Sequence, residues 1–193
     1  MNNGLWLSDP TILLISASVF AAVSGLPVAL RLFSPSAAQR LSSALISAAS
    51  IIGLYGAICA LLTRSVAVYQ LTWPLPFGLH QFGLDPLSAV FVIPVLIVAC
   101  CCSIYAISYW PASENSENIR KLTLFFGLLV SAMLWVLLAR SAAVFLFAWE
   151  IMALAAYFIL TTSDEEPEVR KAGILYLICT HIGTLTLFAF FSI

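Results

Sequence analysis

Two side chains in this sequence can hold and release a proton where water is scarce. Glu150 lies in the run SAAVFLFAWEIMALAAYFILTT and is the one Asp, Glu, Lys or Arg well inside an apolar stretch. It follows Arg140 by ten residues, roughly 15 Å along a helix at 1.5 Å per residue. Half of a hydrocarbon layer about 30 Å thick is the same distance, so Glu150 is expected near the midplane. A carboxylate there costs roughly 2.5–3.5 kcal/mol, and intramembrane carboxylates mark ion pathways. The alternative is a structural Glu hydrogen-bonded to a neighbouring helix. His181, in KAGILYLICTHIGTLTLFAFF, follows Lys171 by ten residues and reaches a similar depth from the opposite side. If these two antiparallel helices touch, an acid–imidazole relay between Glu150 and His181 follows, direct or through water. Histidine is the residue type that changes charge near neutral pH. A lone His in an apolar helix is as often a satisfied core residue.

Thr180, Thr184 and Thr186 surround His181, with Tyr176 a little over one turn before it. Such hydroxyls can bond their own backbone and are weak signals alone. With His181 they make the last apolar run the best candidate for a wet path. Ala153, Ala155, Ala156 and Gly173 permit close helix packing. Trp149 needs a partner for its indole N–H and is expected inside a bundle. Cys100, Cys101 and Cys102 do not form a metal site, because consecutive helical residues point about 100° apart; with Cys59 and Cys179 they read as small hydrophobes. The stretch Asp164, Glu165, Glu166, Pro167, Glu168 reads as a solvated connection with a helix cap; a docking surface for a soluble subunit is the minority reading.

The elements that position these residues follow from composition. The chain has 193 residues, 62% of them hydrophobic and 9% charged. Soluble domains carry about 25% charged residues, so a soluble enzyme, a disordered chain and a nucleic-acid binder are excluded; the net charge of −1 gives nucleic acid no basic surplus. The expected fold is all-α: a single polytopic transmembrane bundle in the lipid bilayer, with spans at about 11–32, 44–62, 87–109, 122–139, 142–162 and 172–191. Asp9-Pro10 and Asp85-Pro86 each supply an N-cap carboxylate and a proline at the first helical position, and Glu166-Pro167 has the same form. Pro27 and Pro94 fall inside runs and predict kinks.

Arg31, Arg40, Arg120, Lys121, Arg170 and Lys171 fall in odd-numbered loops, Arg64 and Arg140 in even-numbered ones. That asymmetry predicts odd loops in the cytoplasm, both termini outside, and the 64–85 loop outside, in a cell inner (plasma) membrane. This loop reads VAVYQLTWPLPFGLHQFGLD. Either a short hairpin or an irregular interfacial loop anchored by Trp73 and Tyr69 fits it.

FLFAWEIMALAAYFIL, the acidic loop, VRKAGILYLICTHIGT and GLDPLSAVFVIPVLIVACCCSIYAISYW together resemble the antiporter-like membrane subunits of the respiratory complex I superfamily, in the branch of hydrogenase-4 component B and formate hydrogenlyase subunit 3. The likeness runs from about residue 82 onward and is most specific at Trp149-Glu150, Arg170-Lys171-Ala172-Gly173 and His181-Ile182-Gly183. It implies a proton-translocating subunit with no redox site of its own, working with other membrane and peripheral subunits of a hydrogenase or complex I-like assembly. Glu150 matches the family's fifth-helix glutamate and His181 a polar position of the sixth helix. Family members have about fourteen helices in two inverted repeats. The resemblance therefore implies an N-terminal part of such a subunit, without the seventh-helix lysine that pairs with the glutamate, and one that does not pump alone.

No iron–sulfur spacing, haem motif or nucleotide loop is present in the sequence, so no cofactor is expected and electron transfer would belong to other subunits. Two other functions fit the same residues: a Mrp-type cation/proton antiporter component, and a purely structural membrane anchor in which Glu150 and His181 are packing hydrogen bonds.

Overall fold

The computed structural model describes residues 9–31, 33–64, 66–71, 80–113 and 118–192. Its elements are α1 (Pro10–Val23), α2 (Leu26–Ala29), α3 (Pro35–Thr63), β1 (Ala67–Leu71), β2 (His80–Leu84), α4 (Pro86–Tyr109), α5 (Asn118–Leu138), α6 (Ala142–Leu160) and α7 (Pro167–Phe191). Counting α1 and α2 as one span, six helices among the described residues are long and apolar enough to cross a membrane. The all-α expectation holds, with one hairpin added.

Two helix starts follow the expected device. Asp9 Oδ1 accepts the Thr11 amide at 2.8 Å, and Asp85 Oδ1 accepts the Ser88 amide at 2.8 Å, each ahead of a proline at the first helical position. This satisfies an orphan amide that the helix itself leaves open. Glu166 occupies the corresponding position of α7, but its side chain makes no capping bond; only the proline does the expected work there.

Two helix starts differ most from the sequence reading. α3 begins at Pro35, nine residues before the expected start. Its polar first turns are held by Gln39, which is buried. The Gln39 amide donates to Ala106 O (3.1 Å) and Trp110 O (2.9 Å), and its Oε1 accepts the Ala112 amide (3.0 Å). One side chain thus closes the open carbonyl end of α4. α7 begins at Pro167, five residues early, because Arg170 holds its first turn to the Asp164 and Glu165 carbonyls (2.8 and 3.0 Å).

The first span breaks rather than kinks. Its ladder stops at Ser24 and Gly25 and restarts at Leu26 with Pro27 inside α2. The break lets α5 come very close: a Cβ on Gly25 would collide with the Leu124 backbone, and one on Gly127 with Ala21 O and Ser24 Oγ. α4, by contrast, runs on through Pro94.

α1, α3, α4 and α5 surround a core that includes Leu14, Ile46, Leu96, Leu134 and Leu138. Lipid tails are as apolar as leucine, so close fit rather than water exclusion holds such helices together. Small residues at the α1–α3 contact, among them Ala17, Gly53 and Ala57, provide that fit. α6 packs on α5, and α7 packs on α6.

The 64–85 segment holds a hairpin rather than only an irregular loop. β1 and β2 are antiparallel, with Ala67 opposite Leu84, Tyr69 opposite Phe82 and Leu71 opposite His80. The expected turn and Trp73 lie outside the described residues. The Phe82 ring meets Tyr69 (centroids 5.9 Å) and Trp135 (5.5 Å), and Phe82 bridges to Ala139. The Arg140 amide donates to Gln81 O at 2.9 Å, and the Leu84 amide to Thr11 Oγ1 at 3.3 Å. These bonds tie β2 to α1 and to the α5–α6 connection, so that it lies across one end of the bundle.

Candidate functional site

α6 has neither Gly nor Pro in its interior, so nothing interrupts its ladder from Ala142 to Leu160. Glu150 is the ninth of these 19 residues, midway along a helix of membrane length. It is half-buried and faces a cleft of about 440 Å³ between α6 and α7. The walls include Ala142, Leu146 and Phe147 of α6 and Phe188, Phe191 and Ser192 of α7. Among the described residues no hydrogen bond or ion pair reaches its carboxylate.

His181 lies on the neighbouring helix α7. Gly173 of α7 lies against Thr161 of α6, and Phe191 meets Phe145 with ring centroids 5.8 Å apart. Between those two contacts, antiparallel pairing brings Glu150 opposite Thr184, with His181 about one turn nearer Gly173. The two side chains nevertheless face different ways. Thr184 is buried in the α6–α7 contact, whereas the His181 ring is exposed, its Nδ1 2.9 Å from Leu177 O of its own helix. His181 is not among the residues that line the Glu150 cleft.

The threonines likewise serve their own helix. Thr180 bonds Tyr176 O and Leu177 O (both 3.0 Å), Thr184 bonds Thr180 O (3.1 Å) and Thr186 bonds Ile182 O (2.9 Å). Ala153 and Ala155 are buried in the bundle, as their size predicts. Trp149 stacks on Phe145 (5.8 Å), but its indole Nε1 is buried and has no partner among the described residues, contrary to expectation.

At the far end of α6 the acidic loop is tied inward. Lys121 of α5 donates to Asp164 (2.7 Å) and to Thr161 O (2.9 Å). The Lys121 ammonium holds the Asp164 carboxyl below its ordinary pKa. At the hairpin end, Arg140 pairs with Asp85 at 2.7 Å and donates to Ser88 Oγ at 3.1 Å.

Sequence reasoning passed over His80. It is 3% exposed, and its Nε2 has no partner among the described residues. It borders a cavity of about 370 Å³ between β2, α5 and α6. The signal was available: His80, Phe82 and Leu84 alternate along β2 and share its inward face.

No family model matches the chain. Proteins from two strains of Mycobacterium tuberculosis, each described as an uncharacterized protein, are 32% identical to it over 123 residues, 63% of this chain and 19% of theirs. Hydrogenase-4 component B of Escherichia coli is 24% identical over 112 residues, 58% of this chain and 16% of that protein. The chain therefore spans about a fifth of the length of the curated relatives it matches. The likeness to a hydrogenase-4 component agrees with the resemblance carried by the motifs, at low identity.

Proposed function

We propose that this chain is the N-terminal part of an antiporter-like, proton-translocating subunit in a membrane-bound hydrogenase or related complex I-like assembly, with Glu150 as its proton carrier. One observation carries the reading: a single carboxylate halfway along a membrane-length apolar helix, half-buried in a cleft and without a counter-ion among the described residues. Buried structural acids are paired or hydrogen-bonded; one that is neither is suited to exchanging a proton. The partial similarity to hydrogenase-4 component B supports the same assignment. In the step itself, a water donates a proton to a Glu150 carboxylate oxygen from one side, and the acid returns it to a water on the other. His181, about one turn from that level on α7, is the second proton-holding group, reached through water. Electron transfer belongs to other subunits of the assembly.

Arg31, Arg40, Arg120, Lys121, Arg170 and Lys171 all lie at the end of the bundle away from the hairpin, against Arg64 and Arg140 beside it. We place the first end in the cytoplasm and the hairpin outside the plasma membrane, with both termini on the hairpin side.

The test is proton flux in membrane vesicles holding the chain with its native partners. Glu150→Gln should abolish flux while the assembly still forms, since Gln keeps shape and hydrogen bonding without titrating. His181→Ala should slow flux by less, and the double variant should match Glu150→Gln alone. Full flux in Glu150→Gln would leave only the membrane-anchor reading. Flux without co-purifying redox subunits would favour a Mrp-type component.

A further inference from the structure

We infer that the pocket between Arg31 and Arg120 binds the phosphodiester of an anionic phospholipid, in the leaflet at the end of the bundle away from the hairpin. The pocket has a volume of about 190 Å³. Its walls are Val28 of α2, Arg31 and Phe33 of the α2–α3 connection, Pro35 and Ala38 of α3, and Arg120 of α5. The two arginines stand far apart in sequence, and only the packing of α2 and α3 on α5 brings both to one space. Two guanidinium groups at one small space draw an anion into it. No carboxylate borders the pocket among the described residues. Lys121, the residue after Arg120, turns elsewhere and pairs with Asp164 at 2.7 Å. Each arginine already makes a contact of its own, and a guanidinium with five N–H donors keeps others for a second acceptor.

Two features of the backbone point the same way. Arg31 has φ 54°, the left-handed conformation that Gly adopts freely and most other residues adopt at a cost. A helix end that needed only this turn would carry Gly; Arg31 keeps a guanidinium at the pocket instead. The Ser34 side chain makes no capping bond to α3. The amides of the turn that begins at Pro35 therefore stay open, and the positive end of a 29-residue helix backs the same wall.

The surroundings favour a lipid over a free anion. Phe33, on the pocket wall, and Leu30, beside Arg31, are 55% and 62% exposed, and Leu26, one turn earlier on α2, is exposed as well. These side chains lead from the pocket toward the bilayer interior, where the acyl chains of a seated lipid would cover them. A phosphodiester accepts paired N–H bonds from guanidinium forks, and basic pockets between transmembrane helices at the cytoplasmic side bind anionic headgroups. A phosphatidylcholine headgroup would bring a quaternary ammonium against the same two cations, so phosphatidylglycerol and related anionic lipids are the class selected.

Native mass spectrometry of the full chain with its native partners, in detergent holding equal phosphatidylglycerol and phosphatidylcholine, tests this. The wild type should retain phosphatidylglycerol in preference by about tenfold or more. Arg31→Gln/Arg120→Gln should remove most of that preference. Arg31→Lys/Arg120→Lys should lower it several-fold, because lysine keeps the charge and loses the fork. General attraction to a basic surface would not tell arginine from lysine, so wild-type preference in the lysine pair overturns the site. So does wild-type preference in the glutamine pair. Arg40→Gln removes a charge from the same end of the bundle without bordering the pocket, and a loss as large as that of the glutamine pair would also overturn the site. Inorganic phosphate in excess should leave the lipid bound; displacement overturns the lipid assignment in favour of a soluble anion. If the glutamine pair does not accumulate in the membrane, the lysine pair decides.

Discussion

Arg140 Nη2 stands 2.7 Å from Asp85 Oδ1, and the same carboxylate oxygen accepts the Ser88 amide at 2.8 Å. One group thereby caps α4 and holds the connection between α5 and α6. Burial alone pushes the Asp85 carboxyl up, but the Ser88 hydroxyl and amide and the Arg140 charge outweigh it, and its pKa lies below the ordinary 3.8. The sign follows from linkage. A depressed carboxylate stabilises fully above its ordinary value, and the contribution is lost as pH falls through the lowered one. Asn caps a helix as well as Asp, so Asp85→Asn should lower stability near neutral pH by up to about 1 kcal/mol through the lost Arg140 pair, and flatten the loss of thermal stability between about pH 4 and pH 2. Melting in detergent across that window checks it; an unchanged acid limb would show that Asp85 is not linked to folding.

Tyr69 donates its hydroxyl to Asp9 Oδ2 at 2.6 Å, fastening the hairpin to the start of α1. That bond, with burial and the Asp9 charge, pushes the phenol up from 10.0 to about 12. Stability from this bond is full below pH 10 and is lost as pH rises through about 12. An ultraviolet tyrosine titration of wild type minus Tyr69→Phe should isolate one phenol ionising well above 10.0. A difference curve centred at the ordinary value would mean the bond does not persist in the membrane-extracted protein.

Glycine positions separate close crossings from open ones. Gly127→Ala sets a methyl against Ala21 O and Ser24 Oγ at the α1–α5 crossing, where backbone has to move. Its cost should be about 1–3 kcal/mol. Gly183 has nothing within 4 Å of a built Cβ, so Gly183→Ala should be neutral or stabilise α7 by up to about 1 kcal/mol. Comparable melts for both variants would refute this packing of α1 on α5.

Glu150 offers a stability test that needs no transport. Because no partner holds its carboxylate among the described residues, Glu150→Leu should leave thermal stability unchanged or raise it. Replacing a paired buried acid would instead lower it by about 3–5 kcal/mol. A large loss on Glu150→Leu would show a structural partner and count against proton exchange.

The apolar runs, the Asp-Pro starts of α1 and α4 and the alternation of the 64–85 hairpin were legible because each is a local signal. A run must be long enough to span, a cap must precede its helix, and a strand must alternate. The starts of α3 and α7 were not legible. Their first turns are polar, and contacts distant in sequence hold them: Gln39 on the end of α4, Arg170 on the loop carbonyls. His80 showed the period-two pattern, but only the docking of β2 on α5 and α6 turned an inward strand position into a cavity wall.

The sequence by itself determined the level of Glu150 and of His181, because rise per residue along a helix is constant. It did not determine which way either side chain faces. α6 and α7 are apolar around most of their circumference, and a helix without a polar face has no pattern from which its rotation can be read. That rotation was decided by close fit: Gly173 against Thr161, Phe191 against Phe145, and Thr184 buried between the helices. Those contacts turn Glu150 into the cleft and leave His181 on an exposed face of α7.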